Sequence, residues 1–223
     1  MITDTAARLA APAKPDAPRN GRIVGVGLFL ACAFPYISIV ARPFDTQPYA
    51  VVVAVTVLIS ELVNRGTLRI PHLLAPFGVV LIVASASLVA LSDPATGLRS
   101  MVGYASVFLI SMAATVSFGR ITGRHLIFAV TVWAMVGTIQ MTVDKTFGSF
   151  LLPRLSTSVT RGVTSLAVEP SYYVVVCIGL MILADVLYSQ KSLTRRQHLL
   201  IFAATIVQIL YARAGLGVLL FFV

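Results

Sequence analysis

The sequence predicts an all-α protein, a polytopic transmembrane helical bundle of about seven spans with a cytoplasmic N-terminus. Three observations predict it. Of the 223 residues, 58% are hydrophobic and 11% charged, against roughly 25% charged in a soluble domain. The apolar residues gather into long runs, several of which reach the roughly 18 to 20 residues that cross about 30 Å of hydrocarbon as a helix. The Lys and Arg residues sit in short clusters between those runs, as a topology signal does.

Taken in order, residues 1–22 are rich in Ala and Pro without a sustained apolar period, which predicts a disordered cytoplasmic tail. The next run is too long for a signal-peptide core and has no clear small-residue cleavage site, so it reads as a retained first span. Residues 23–223 then form the transmembrane helical domain. Hydropathy places its spans at 23–41, 49–63, 73–92, 101–118, 126–143, 171–189 and 199–223. The second is short and can be extended outward through Gln47 and Pro48.

Orientation follows from the basic residues. Arg8, Lys14, Arg19, Arg22, Arg65, Arg69, Arg120, Arg124, Lys191, Arg195 and Arg196 fall on one side. Only Arg42, Arg99, Lys145, Arg154 and Arg161 fall on the other. The positive-inside bias makes the richer side cytoplasmic and the loop 144–170 external. That loop is the longest interruption of the apolar pattern, and long loops in compact proteins are usually functional.

The formal charge of +9 does not point to nucleic acid, because the cations lie between spans rather than along one soluble face. Cys32 and Cys177 both fall in apolar runs and support neither a disulfide framework nor a zinc site. No P-loop, dinucleotide fingerprint, paired-histidine metal motif or nucleophile elbow is present, so neither a metal nor a cofactor is expected. The expected substrate is an anionic, lipid-embedded molecule met at the outer face.

Three polar residues carry that expectation. Glu169, with Pro170, opens the sixth span, where an acid suits the helix dipole without any further role. The same carboxylate could serve as a base or clamp for a sugar hydroxyl. Tyr172 and Tyr173 add stacking surface, or form an aromatic belt. Arg161 offers a guanidinium that fits phosphate oxygens, or one that is solvated by lipid headgroups. Arg213 lies fourteen residues beyond Leu199, roughly 21 Å along a helix and in the outer third of the bilayer. It either snorkels to the outer headgroups or, flanked by Ala212, Gly215 and Gly217, turns inward. Glu61, four residues before Arg65, predicts a local ion pair. Gln140 and Gln208 are expected to bridge helices, and His72, His125 and His198 to sit at inner boundaries.

The stretch RGVTSLAVEPS, from Arg161 through Glu169 and Pro170 to Ser171, and YARAGL, containing Arg213, resemble motifs of the bacterial O-antigen ligase and polymerase superfamily. The resemblance covers the region from Leu151 onward. It implies metal-independent glycosyl transfer from an undecaprenyl-pyrophosphate-linked saccharide in the bacterial inner membrane. Arg161 and Arg213 would neutralise the pyrophosphate, and Glu169 would orient or deprotonate the acceptor. Ser171, Tyr172 and Tyr173 join the binding set, and a polymer-length regulator is a possible partner. Members of that superfamily have more spans and a large external loop after the matched helix, so this chain reads as an N-terminal part or a shortened relative. The alternative is a non-enzymatic transporter or assembly subunit that binds a lipid-linked saccharide.

Overall fold

The computed structural model describes residues 19–37, 49–68, 74–91, 94–148, 151, 162–167 and 169–213. Among them every regular element is helical: α1 (Arg19–Ala33), α2 (Tyr49–Arg65), α3 (Leu74–Leu91), α4 (Pro94–Ser117), a 3₁₀ turn (Phe118–Arg120), α5 (Gly123–Thr142), α6 (Pro170–Ser189) and α7 (Arg195–Ala212). Among the described residues three stretches are long and apolar enough to cross a membrane: Met101–Arg120, Gly123–Thr142 and Pro170–Ser189. Large apolar side chains also stand on the outside of the helices, among them Val63 (78% exposed), Ile82 (70%) and Leu210 (64%). A soluble surface would not tolerate such faces over so many helices; a membrane protein is the physical reading.

Several boundaries differ from the hydropathy reading for local reasons. The first helix begins at Arg19, inside the segment read as a tail, and ends at Ala33, where the Phe34–Tyr36 turn containing Pro35 follows. The fourth helix starts at Pro94, seven residues before the apolar run, because proline is preorganised for a first helical position. The last helix ends at Ala212, since Arg213 adopts a left-handed backbone with φ 47°. Residues 1–18 and the end of the final predicted span, 214–223, lie outside the described residues.

The chain divides into two compact units. One contains α1 to α4 and the 3₁₀ turn, and its core joins Leu28, Ala54, Val57, Leu58, Met112 and Ala113. The buried Glu61 of α2 takes Arg65 at 2.5 Å and Arg120 at 2.9 Å. The predicted i,i+4 pair is thus joined by a second guanidinium 59 residues away in sequence.

The other unit contains the Ala33–Ile37 turn and α5 to α7. A short turn after Ser189 makes α6 and α7 antiparallel, and the backbone N–H of Gly123 donates to Ser192 Oγ at 3.2 Å, seating the start of α5 on that turn. Two ends result. The starts of α5 and α7 lie at one; the end of α5, the start of α6 and the end of α7 lie at the other.

The candidate site at one end of the three-helix unit

Residues 162–167 cross this second end without forming a helix, yet Val163, Thr164, Ser165, Leu166 and Ala167 are all buried. Irregular backbone in a membrane protein is tolerated only where protein groups satisfy its donors and acceptors. Gln140 of α5 does so. Its Oε1 accepts from the N–H groups of Ser165 (2.7 Å) and Thr164 (3.2 Å), while its Nε2 donates to the carbonyls of Ser165 (2.9 Å) and Phe147 (2.8 Å). One amide therefore uses three of its four bonds on a segment about 25 residues downstream and the fourth on the Phe147 carbonyl. Ser165 adopts φ 50° and donates its hydroxyl to the Trp133 carbonyl at 2.8 Å.

The same segment is fastened to the end of α7. The Val163 N–H donates to the Tyr211 carbonyl at 3.1 Å. A Cβ on Gly162 would collide with the backbone of Ala212 and Tyr211, so only glycine fits that approach. Gly162 follows Arg161 directly, and Ala212 precedes Arg213 directly. The loop thus joins the chain neighbours of two candidate arginines that are far apart in sequence. Arg161 itself lies outside the described residues.

Glu169 stands at the N-cap of α6, with its carbonyl accepting the first helical bond from the Tyr173 N–H at 3.1 Å. Its side chain does not cap the helix; it accepts one long bond from Ser171 Oγ at 3.4 Å. Arg213, exposed, closes α7 at the same end of the unit, where a cation suits the negative end of the helix dipole. It is therefore the C-cap of α7. Among the described residues Glu169 and Arg213 form no ion pair with each other.

The two tyrosines part company. Tyr172 is 48% exposed and stacks on Tyr36 at 5.7 Å, which offers an aromatic surface at the rim. Tyr173 is fully buried, stacks on Trp133 at 5.4 Å, and donates its hydroxyl to Gln208 Oε1 at 2.5 Å. It has no surface to offer a substrate. Its hydroxyl and the Gln208 amide fit only because Gly137 of α5 carries no side chain there. Gln208 also donates to Thr138 Oγ1 at 3.4 Å, so it bridges α5, α6 and α7.

Beside this end, after α5, the fully exposed Asp144 accepts from the Thr146 N–H and hydroxyl, both at 2.8 Å, and these bonds hold its carboxyl below the ordinary range. No group of three or more His, Cys, Asp or Glu suited to a metal is found among the described residues. Among the polar groups that this end presents are the part-exposed Glu169 carboxylate, the exposed Arg213 guanidinium and the Tyr36–Tyr172 stack, which can bind an anion and a hydroxyl-bearing ring.

Residue spacing pointed to Glu169 and Arg213 but assigned no role to Thr164 and Ser165, and gave Gln140 only a bridging one. The available signal was a lone amide in an apolar run, paired with a Thr-Ser step in the loop. No family model, curated protein or solved structure matches the chain.

Proposed function

We propose that the chain is an integral membrane component of surface-polysaccharide synthesis, transferring or polymerising an undecaprenyl-pyrophosphate-linked saccharide at the outer face of the bacterial inner membrane. In this reading it has about seven spans and a cytoplasmic N-terminus. The acceptor sugar hydroxyl forms a bond to the anomeric carbon of the donor. The bond from that carbon to the lipid pyrophosphate breaks, the pyrophosphate leaves with the electron pair, and the hydroxyl proton passes to the Glu169 carboxylate. Arg161 and Arg213 bind the pyrophosphate, where preorganised charge counts most as negative charge develops. Ser171 steadies Glu169, and Tyr172 with Tyr36 stacks on a sugar ring.

The observation that carries this reading is the docking of Gly162 and Val163 on the last turn of α7. Peptide geometry keeps Arg161 one Cα step, about 3.8 Å, from Gly162, and Arg213 the same step from Ala212. Two guanidiniums tethered so closely form a clamp suited to a diphosphate.

The test is made in cells carrying the protein. Arg213→Ala and Arg161→Ala should each leave membrane insertion intact, slow transfer by about a hundredfold, as loss of one transition-state donor does, and let lipid-linked saccharide accumulate on the outer face. Polysaccharide of normal length and amount in both variants overturns the assignment. Saccharide trapped inside, protected from an externally added glycosidase, would instead establish a transport role.

A further inference from the structure

A groove of about 600 Å³ runs between α5 and α7, within the range of roughly 300–1,000 Å³ typical of small-molecule sites. Its walls are almost wholly hydrocarbon, with Val130, Ala134 and Ile139 on one helix and Leu200, Ile201 and Ala204 on the other. A saccharide would leave its hydroxyls unpaired there; an alkyl chain would not. Gln197 is the polar residue at the end nearest the start of α7.

That end is also where α5 and α7 both begin, so their positive dipole ends point the same way. Three exposed arginines stand in those first turns, Arg124 on α5 and Arg195 and Arg196 on α7. Exposed Lys191 lies in the adjoining turn, next to the Ser192 that binds Gly123. Cations in a first turn oppose the dipole, and neither helix has an acid there to offset them. Among the described residues none of these four is in an ion pair; Asp185 lies toward His198 at 3.4 Å instead. The orienting role of these cations in the membrane leaves them without a counter-charge among the described residues, and an anion at the mouth of an alkyl groove would supply one.

We propose that the α5–α7 groove holds an acyl chain of an anionic glycerophospholipid, whose phosphate is bound by Arg124, Lys191, Arg195 and Arg196. This site lies at the end of the unit opposite Glu169 and Arg213, and it stands independently of the transfer reading. Bilayer lipid is as apolar as the groove, so the chain itself gains little by moving from one to the other. Selectivity must come from the headgroup.

The full chain in nonionic detergent, given equimolar phosphatidylglycerol and phosphatidylcholine with identical acyl chains, is assayed by native mass spectrometry. Retained phosphatidylglycerol should exceed phosphatidylcholine by about fivefold or more, the ratio that one well-placed cation supplies. R195Q/R196Q, which alters exposed side chains only, should bring the ratio close to one. Ala204→Phe, which fills the groove, should reduce both lipids together, with its melting temperature checked against wild type. Equal retention of the two lipids by wild type, or an unchanged ratio in R195Q/R196Q, overturns the proposal. So does stronger retention of undecaprenyl phosphate than of phosphatidylglycerol when the two compete.

Discussion

The two units bury polar groups in opposite ways. In the α1–α4 unit, one carboxylate, Glu61, meets two guanidiniums, one from its own helix and one from the 3₁₀ turn after α4. In the α5–α7 unit, buried polarity is neutral: Gln140, Ser165, Tyr173 and Gln208 exchange hydrogen bonds with one another's surroundings and with backbone. A charged triad must overcome desolvation, and it fastens only the few atoms it touches. A neutral amide has four bonding positions, so it can hold an irregular segment whose backbone would otherwise be orphaned. The candidate site stands on the second solution, because Gln140 shapes the loop that leads from Arg161 to Glu169.

That contrast sets an order of expected effects. Gln140→Leu should be the most damaging, since it strips partners from two buried N–H groups and two carbonyls at about 1–3 kcal/mol for each group left unpaired. A loss of about 3 kcal/mol or more, followed by SDS-induced unfolding, should coincide with new protease sensitivity at 162–167. Retained stability would mean that the loop is held by other contacts. Arg120→Met comes next, at about 2 kcal/mol, because it leaves the Glu61 carboxylate buried with a single partner. Tyr173→Phe should cost about 1 kcal/mol, the worth of one hydrogen bond, since the stacking on Trp133 survives. Arg65→Gln should be the mildest, below about 1 kcal/mol, because the Arg65 side chain is 68% exposed and water screens the pair. If Arg65→Gln proved worse than Arg120→Met, the ranking by burial would be wrong.

How much of this was legible depends on sequence distance. Helix cores followed from hydropathy, and Glu61 with Arg65 from spacing along one helix. Arg120 as the second partner of Glu61 did not, because nothing local links residues 59 apart. The placement of Glu169 and Arg213 at one end was readable, since a short turn between two apolar runs makes antiparallel neighbours. That the helix stops at Arg213 was not, because the apolar run continues past it while the backbone turns left-handed there. The buried loop was hidden for the same reason as Arg120: its acceptors and donors are satisfied from α5, not from residues beside it in the chain. Nothing in the sequence marked Gly162, because its closeness to Ala212 is a tertiary fact.

The proposed transfer function requires Arg161 and Arg213 to share one outward-facing site. With Cys32 and Cys177 replaced by Ala, the pair Arg161→Cys and Arg213→Cys is treated in intact cells with a short, membrane-impermeant bis-maleimide, and the chain is then cleaved between the two positions. Fragments that stay joined are the predicted result; fragments that separate, or that join only with a membrane-permeant reagent, would contradict it.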